Sequence, residues 1–105
     1  MIVKVIYSGT PVASFDFSAQ EVSSIEDALE LAWRHTNNVI DSWSLAGSED
    51  SHPSMTLLQP RPIYEGREMG HRSSMMGDVF KVTDIDGGDE VQVYVVAMCG
   101  FDRIG

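Results

Sequence analysis

Strand-like segments near both ends of this chain enclose only one segment with helical spacing, and this arrangement limits the folds that it can adopt. Residues 2–7 are mostly β-branched, and residues 12–17 interleave apolar side chains with Ser14 and Asp16. A Gly-Thr-Pro turn at residues 9–11 joins the two segments. So short a connection predicts an antiparallel hairpin.

The helical segment is predicted to run from about Ser24 to Thr36, with apolar residues on one side and carboxylates on the other. Residues 23–26, Ser-Ser-Ile-Glu, match the capping box, in which a serine and a glutamate satisfy free backbone N–H groups. Glu30 stands one turn before Arg34 and is expected to pair with it. The segment is therefore an amphipathic helix with one face for the core.

The middle of the chain has a weaker pattern. Residues 37–54 are rich in Asn, Asp and Ser, which predicts irregular structure that Trp43 and Leu45 anchor to the core. Residues 55–58 have the composition of a short strand, which Pro60 stops. Residues 59–78 are predicted to form one long loop.

Two closing strands are predicted at residues 79–82 and 91–98, joined across an Asp-Gly-Gly-Asp turn at residues 86–89. The second of them is apolar on both faces, which indicates a central position in the sheet rather than an edge. Cys99 follows this strand and is expected to be a buried small hydrophobe.

The order of these elements predicts a single α+β domain over residues 1–105. Its antiparallel sheet consists of the first hairpin and the closing strands, and one amphipathic helix packs against it. A chain of 105 residues has little room for a second core. The alternative architecture is a small half-open β-barrel with one helix.

The net charge of −9, from sixteen acidic and seven basic side chains, is unusual for so short a chain. Direct binding to nucleic acid is not predicted, because neutralising phosphates requires lysine and arginine. The charge favours solubility and attraction to basic protein surfaces. A single cysteine, no signal peptide and no apolar span together predict a cytoplasmic protein without membrane contact.

Motifs for catalysis and cofactor binding are missing from the sequence, so an enzyme is not predicted. There is no G-x-S-x-G, Cys-x-x-Cys, H-E-x-x-H or glycine-rich phosphate loop, and the three histidines are widely separated. Four carboxylates lie within residues 84–90, but Gly88 and Asp89 stand where an EF-hand loop needs an acid and a glycine. This segment is therefore predicted to be a solvated turn, with a calcium site as the alternative.

The helix carries a row of carboxylates, Glu26, Asp27 and Glu30, that are candidates for contact with a partner. Carboxylates along a helix and its adjoining loops can imitate the phosphate spacing of a nucleic acid, and would then occupy the groove of a basic protein. The alternative is that the helix simply turns its charged face to water.

The second candidate site is the basic loop, residues 61–73, which holds three of the seven basic side chains. Guanidinium groups bind carboxylates and phosphates bidentately, and serine hydroxyls add donors. The candidate ligand-binding residues are Arg61, Arg67, His71, Arg72 and Ser73. In the alternative, structural interpretation, Arg72 pairs with a nearby acid, Gly77 takes a left-handed conformation and Asp78 accepts from neighbouring N–H groups.

Three methionines near this loop, Met69, Met75 and Met76, admit two interpretations. They either fill gaps in the core or form an adaptable apolar contact for a partner.

The C-terminal third resembles the YodL-like domain of small proteins from phages, plasmids and other mobile elements. The residues that carry the resemblance are Arg72-Ser73, Gly77-Asp78-Val79, Tyr94-x-Val96 and Gly100-Phe101. The segment departs from the usual pattern because Ser74-Met75-Met76 replaces Leu-Ser-Val. The resemblance implies a bacterial host cell and an accessory role in mobile-element biology, and it implies no particular activity.

Three functions follow as hypotheses. The first is a non-enzymatic interaction protein that binds a basic host or element-encoded macromolecule, with nucleic-acid mimicry as its sharpest form. The second is a small domain that binds an anionic ligand, or acts on one, through the basic loop. The third is a structural component of a phage particle.

Overall fold

The structure is a computed structural model, and it describes residues 1–45 and 47–105. The strands are β1 (Ile2–Tyr7), β2 (Thr10–Asp16), β3 (Met55–Leu57), β4 (Ile63–Tyr64), β5 (Arg67–Glu68), β6 (Val79–Thr83), β7 (Gln92–Ala97) and β8 (Gly100–Arg103). One α-helix, α1, spans Ile25–Arg34, and a 3-10 turn spans Ile85–Gly87.

The main sheet has the order β3-β2-β1-β6-β7-β8, and every neighbouring pair is antiparallel. The sheet is open, with β3 and β8 as its edges, and β4 and β5 form a separate small hairpin. The predicted α+β fold on an antiparallel sheet is confirmed, and the barrel alternative is not. The central position predicted for β7 is also confirmed, since β6 and β8 flank it.

Two predictions about strands are wrong. Residues 59–78 are not one loop, because β4 and β5 pair within them across a Glu65-Gly66 turn in which both residues have positive φ. The predicted two closing strands are three, because the chain turns at Met98-Cys99 and returns as β8. Cys99 consequently lies exposed in this turn and is not the buried hydrophobe that was expected.

The N-terminus of α1 differs by one residue from the predicted capping box. Ser24 is the N-cap, and its hydroxyl accepts from the N–H of Asp27 at 3.1 Å. The Asp27 carboxylate reaches back to the N–H and hydroxyl of Ser23, at 3.1 and 2.6 Å. Asp27, not Glu26, is therefore the acid that satisfies the helix start.

The C-terminal turn of α1 also differs from its prediction. Arg34 does not pair with Glu30, because its guanidinium lies 3.0 Å from Asp50. Residues 37–45 and 47–54 contain neither helix nor strand, as predicted. Trp43 is fully buried, whereas Leu45 is only partly buried and lies outside the core cluster.

The core lies between α1 and one face of the sheet. Alternate residues of the central strands, including Val3, Val5, Phe80 and Val82, are completely buried there, together with Ala28 and Ala32 of the helix. The other face of the sheet is half-exposed, and Lys4 of β1 stands directly opposite Lys81 of β6 on it. These are the chain's two lysines.

Replacing Lys81 with glutamate is expected to stabilise the fold by about 0.5 kcal/mol, because like charges directly opposite each other destabilise a sheet and opposite charges stabilise it. Urea unfolding measures the change. The Lys81→Gln variant is the control and should give a smaller gain. A loss of stability in Lys81→Glu would contradict the assigned register.

Candidate functional site

The basic loop is held to the rest of the molecule mostly by its own predicted ligand-binding residues. Arg72 forms a two-point hydrogen bond with Asp78, at 2.7 and 2.9 Å, and its guanidinium lies 4.0 Å from the centre of the Tyr7 ring. Asp78 also accepts from the N–H of Met75, and Gly77 between them has a φ of 96°. These contacts match the structural interpretation of the segment.

The backbone at Arg72 is fixed as well. Its carbonyl accepts from the indole N–H of Trp43 at 2.8 Å and from the Tyr7 hydroxyl at 3.1 Å. Burial raises the pKa of Tyr7 to about 12, so this hydroxyl keeps its proton at neutral pH. The same hydroxyl is 2.9 Å from that of Ser74, which is 2.6 Å from Thr36 at the end of α1.

The remaining residues of the predicted ligand site have different environments. Arg61 donates to the Ser44 carbonyl and to Glu68, at 2.6 and 2.9 Å. His71 stacks on Trp43 with 5.8 Å between ring centres, and Ser73 accepts from the N–H of Asn38. Arg67 is exposed on β5. The structure therefore does not gather the five residues around one anion-sized space.

Two of the three acidic residues predicted on α1 lie together beside a groove. Asp27 is committed to the helix cap, and its hydrogen bonds with Ser23 hold its pKa below the usual range. Glu26 and Glu30 are exposed and one helical turn apart, which places them side by side. Both line a groove between α1 and the β7–β8 hairpin.

This groove has a volume of about 620 Å³ and is lined largely by apolar side chains. Its helix wall includes Leu29 and Trp33, and its floor includes Val96 and Phe101. Phe101 meets Trp33 edge-on at 6.4 Å and packs on the fully buried Phe80 at 5.3 Å. The groove is thus a firm apolar surface beside two carboxylates.

One exposed methionine lines the groove, and two more lie in a turn that adjoins β7. Met98, which lines it, is 84% exposed, and Met75 and Met76 are 54% and 59% exposed. The turn that carries Met75 and Met76 adjoins β7, because the N–H of Gly77 donates to the carbonyl of Val96. Met69 is exposed too, so none of the three singled out in the sequence fills the core.

Sequence reasoning singled out Glu26 and Glu30 but not the apolar half of the groove. Trp33 and Phe101 are distant in sequence, and only the pairing of β8 with β7 brings them together. The available signal was Trp33 itself, a large apolar residue outside the helical pattern assigned to the core.

A polar cluster fixes the far end of α1. The side chain of Asp50 is fully buried, and its Oδ2 accepts from three successive backbone N–H groups, those of Val39, Ile40 and Asp41, at 2.7 to 2.9 Å. Its Oδ1 accepts from Arg34, and its carbonyl accepts from His35 Nδ1 at 3.0 Å. The N–H groups, that of Asp41 foremost, keep the Asp50 pKa below its usual range.

Stability is expected to fall as the pH drops from neutral to below about 6.5. Burial lowers the pKa of His35, and His52, with its ring centre 4.7 Å away, and Arg34 lower it further. Because the unfolded chain then takes up the proton first, stability is lost as the pH falls below about 6.5. Thermal melts across this range measure the effect. In His35→Gln, whose amide keeps the bond to Asp50, the decline should be smaller; an equal decline would contradict the assignment.

Within the described residues, no group of three or more His, Cys, Asp or Glu side chains is arranged to hold a metal ion. The acidic segment at residues 84–90 forms the 3-10 turn, and Asp84 lies 4.0 Å from the N-terminal amine. Residues 1–45 and 47–105 contain no helix that is long and apolar enough to cross a membrane.

No protein-family model matches this sequence, and comparisons with curated proteins and with solved structures give no match either.

Proposed function

We propose that this chain is a non-enzymatic binding protein, and that the groove between α1 and the β7–β8 hairpin takes a basic segment of another protein. The observation that carries the proposal is the position of Glu26 and Glu30 on the wall of an apolar groove. An apolar surface supplies contact area, and carboxylates beside it select a partner with lysine or arginine next to apolar side chains.

The cost of this arrangement to the free protein supports a role in binding. Like charges one turn apart destabilise a helix by a few tenths of a kcal/mol, and Trp33 and Met98 leave apolar area in water. A basic apolar partner would relieve both. The net charge of −9 would also speed its approach at low salt.

The apolar floor argues against simple imitation of a nucleic acid, because a row of phosphates has nothing that corresponds to Phe101 or Val96. It favours a protein segment with apolar side chains as the ligand. A partner that normally binds nucleic acid fits this proposal when it offers a basic segment with apolar side chains. The resemblance to the YodL-like domain adds the proposal that the partner is a host or element-encoded protein in a bacterial cell.

The test uses Cys99, which is exposed, lines the groove and is the only cysteine. A benzophenone attached to it is activated by light in nuclease-treated bacterial lysate, and the cross-linked peptide is sequenced. The proposal expects a peptide with basic and apolar residues. A peptide without basic residues, or no cross-linked protein at all, would overturn it.

Charge reversal provides the matched comparison. Glu26→Lys with Glu30→Lys should reduce capture at least about tenfold, because two close charge pairs are lost. Glu49→Lys with Asp89→Lys changes the net charge equally at exposed positions outside the groove and should capture as the original does. Equal capture by the two double variants would show that the groove carboxylates take no part.

A further inference from the structure

The main sheet is wider than α1 can cover. Six strands about 4.8 Å apart span about 24 Å, whereas a helix with its side chains is about 10 Å across. The helix lies mainly over β1, and its Trp33 extends to Phe101 of β8. Over β7 and β8, Tyr94 and Phe101 are therefore only partly covered, and together with the buried Val96 they form the floor of the groove.

We infer that the occupant of the groove is a basic amphipathic α-helix of the partner, lying on β7 and β8 beside α1. This inference rests on the proposed function and specifies the form of its ligand. A helix packed over this side of the sheet would complete the second layer of the domain.

The carboxylates match this form. Glu26 and Glu30 are four residues apart, so they are separated by about 6 Å along the axis of α1. Basic side chains four residues apart on a neighbouring helix have the same spacing and face both carboxylates at once. The apolar face of that neighbouring helix then lies against Phe101 and Val96.

An extended segment fits the same features less well. It would extend the sheet at β8, about 4.8 Å beyond that strand and on the side away from α1. From there its side chains would leave the carboxylates of α1 unpaired. β8 is also only four residues long, and Asp102 and Arg103 on it are exposed charges of the kind that protect sheet edges.

The exposed Met98 suits a helical ligand as well. Methionine side chains adapt to irregular apolar surfaces, and Met98, which lines the groove at the β7–β8 turn, would adjust to the residues of the incoming helix.

The experiment compares two synthetic peptides of about 16 residues, about 24 Å long when helical. The first has leucines at helical spacing on one face and lysines four residues apart beside them. The second has the same residues except for two central prolines, each of which costs a helix about 3 kcal/mol. Binding is followed by calorimetry and by Trp33 emission, since the other tryptophan, Trp43, is fully buried.

The helical peptide should bind, and the proline peptide should bind at least about tenfold more weakly. Glu26→Lys with Glu30→Lys should weaken the helical peptide, while Glu49→Lys with Asp89→Lys should not. Equal binding of both peptides, lost on charge reversal at the groove, would overturn the helical form and leave the proposed function standing. No binding of either peptide, or binding that ignores the groove charges, would count against both.

Discussion

Replacing Asp50 with alanine is expected to lower the melting temperature by more than about 15 °C. The substitution removes a buried carboxylate that accepts from three successive backbone N–H groups, those of Val39, Ile40 and Asp41, and from the Arg34 guanidinium. Hydrogen bonds to a charged group are worth more than neutral ones, and four of them are lost together. Circular dichroism melts measure the loss.

Glu49→Ala is the matched control, since Glu49 is an exposed acid next to Asp50 in sequence. It should leave the melting temperature within about 2 °C of the original. Asp50→Asn should be intermediate, because its amide retains one oxygen for the N–H groups but presents a donor where the other oxygen stood. A drop of less than about 5 °C in Asp50→Ala would contradict the importance of this network.

The effect of acid on the stability loss in Asp50→Ala follows from the lowered pKa of Asp50. A carboxyl whose folded-state pKa is depressed contributes stability above its unfolded value of about 3.9, and this contribution is lost as the pH falls below that value. Asp50→Ala lacks the contribution at every pH. The difference in stability between the original protein and Asp50→Ala should therefore shrink under acidic conditions.

Local sequence patterns predicted the parts of this fold that local interactions determine. The first hairpin, α1 and the central position of β7 follow from the period of the apolar residues and from one short turn. The helix cap lies one residue later than the sequence predicts, because Ser23-Ser24 and Glu26-Asp27 allow two registers of the capping box. Only the folded chain distinguishes them, through the bonds of Asp27 to Ser23.

The parts that were missed depend on contacts between distant residues. β8 has one apolar residue, Phe101, among Gly, Asp and Arg, so its strand character comes from pairing with β7 rather than from its own pattern. Asp50 looked like one of many surface acids, and its role requires the chain at residues 39–41 to fold around it. Cys99 was misjudged because the strand was expected to continue past the residue where it turns.

The candidate site was likewise predictable only where local spacing determines it. Glu26 and Glu30 were recognisable because helical spacing alone places them side by side. The groove beside them was not, because it needs Phe101 of the missed strand and the exact extent of sheet that α1 leaves open. The basic loop shows the reverse case, since its composition is typical of an anion site while its contacts are internal.

Replacing Arg72 with alanine is expected to lower the melting temperature by about 5 to 10 °C. Arg72 holds both oxygens of Asp78, which is 5% exposed, and covers the ring of Tyr7. Its removal leaves a nearly buried carboxylate without its cation, which is the costly half of breaking such a pair. Thermal melts of Arg72→Ala against the original measure the change.

The control is Arg67→Ala, in the same loop but at an exposed position, which should melt within about 2 °C of the original. This pair of variants separates the two interpretations of the basic loop. If the loop served mainly to hold an anion, Arg72→Ala would remove a repulsive positive charge and leave stability unchanged or higher in the free protein. A clear loss in Arg72→Ala alone would instead show that the arginine fixes the turn from which β6 begins.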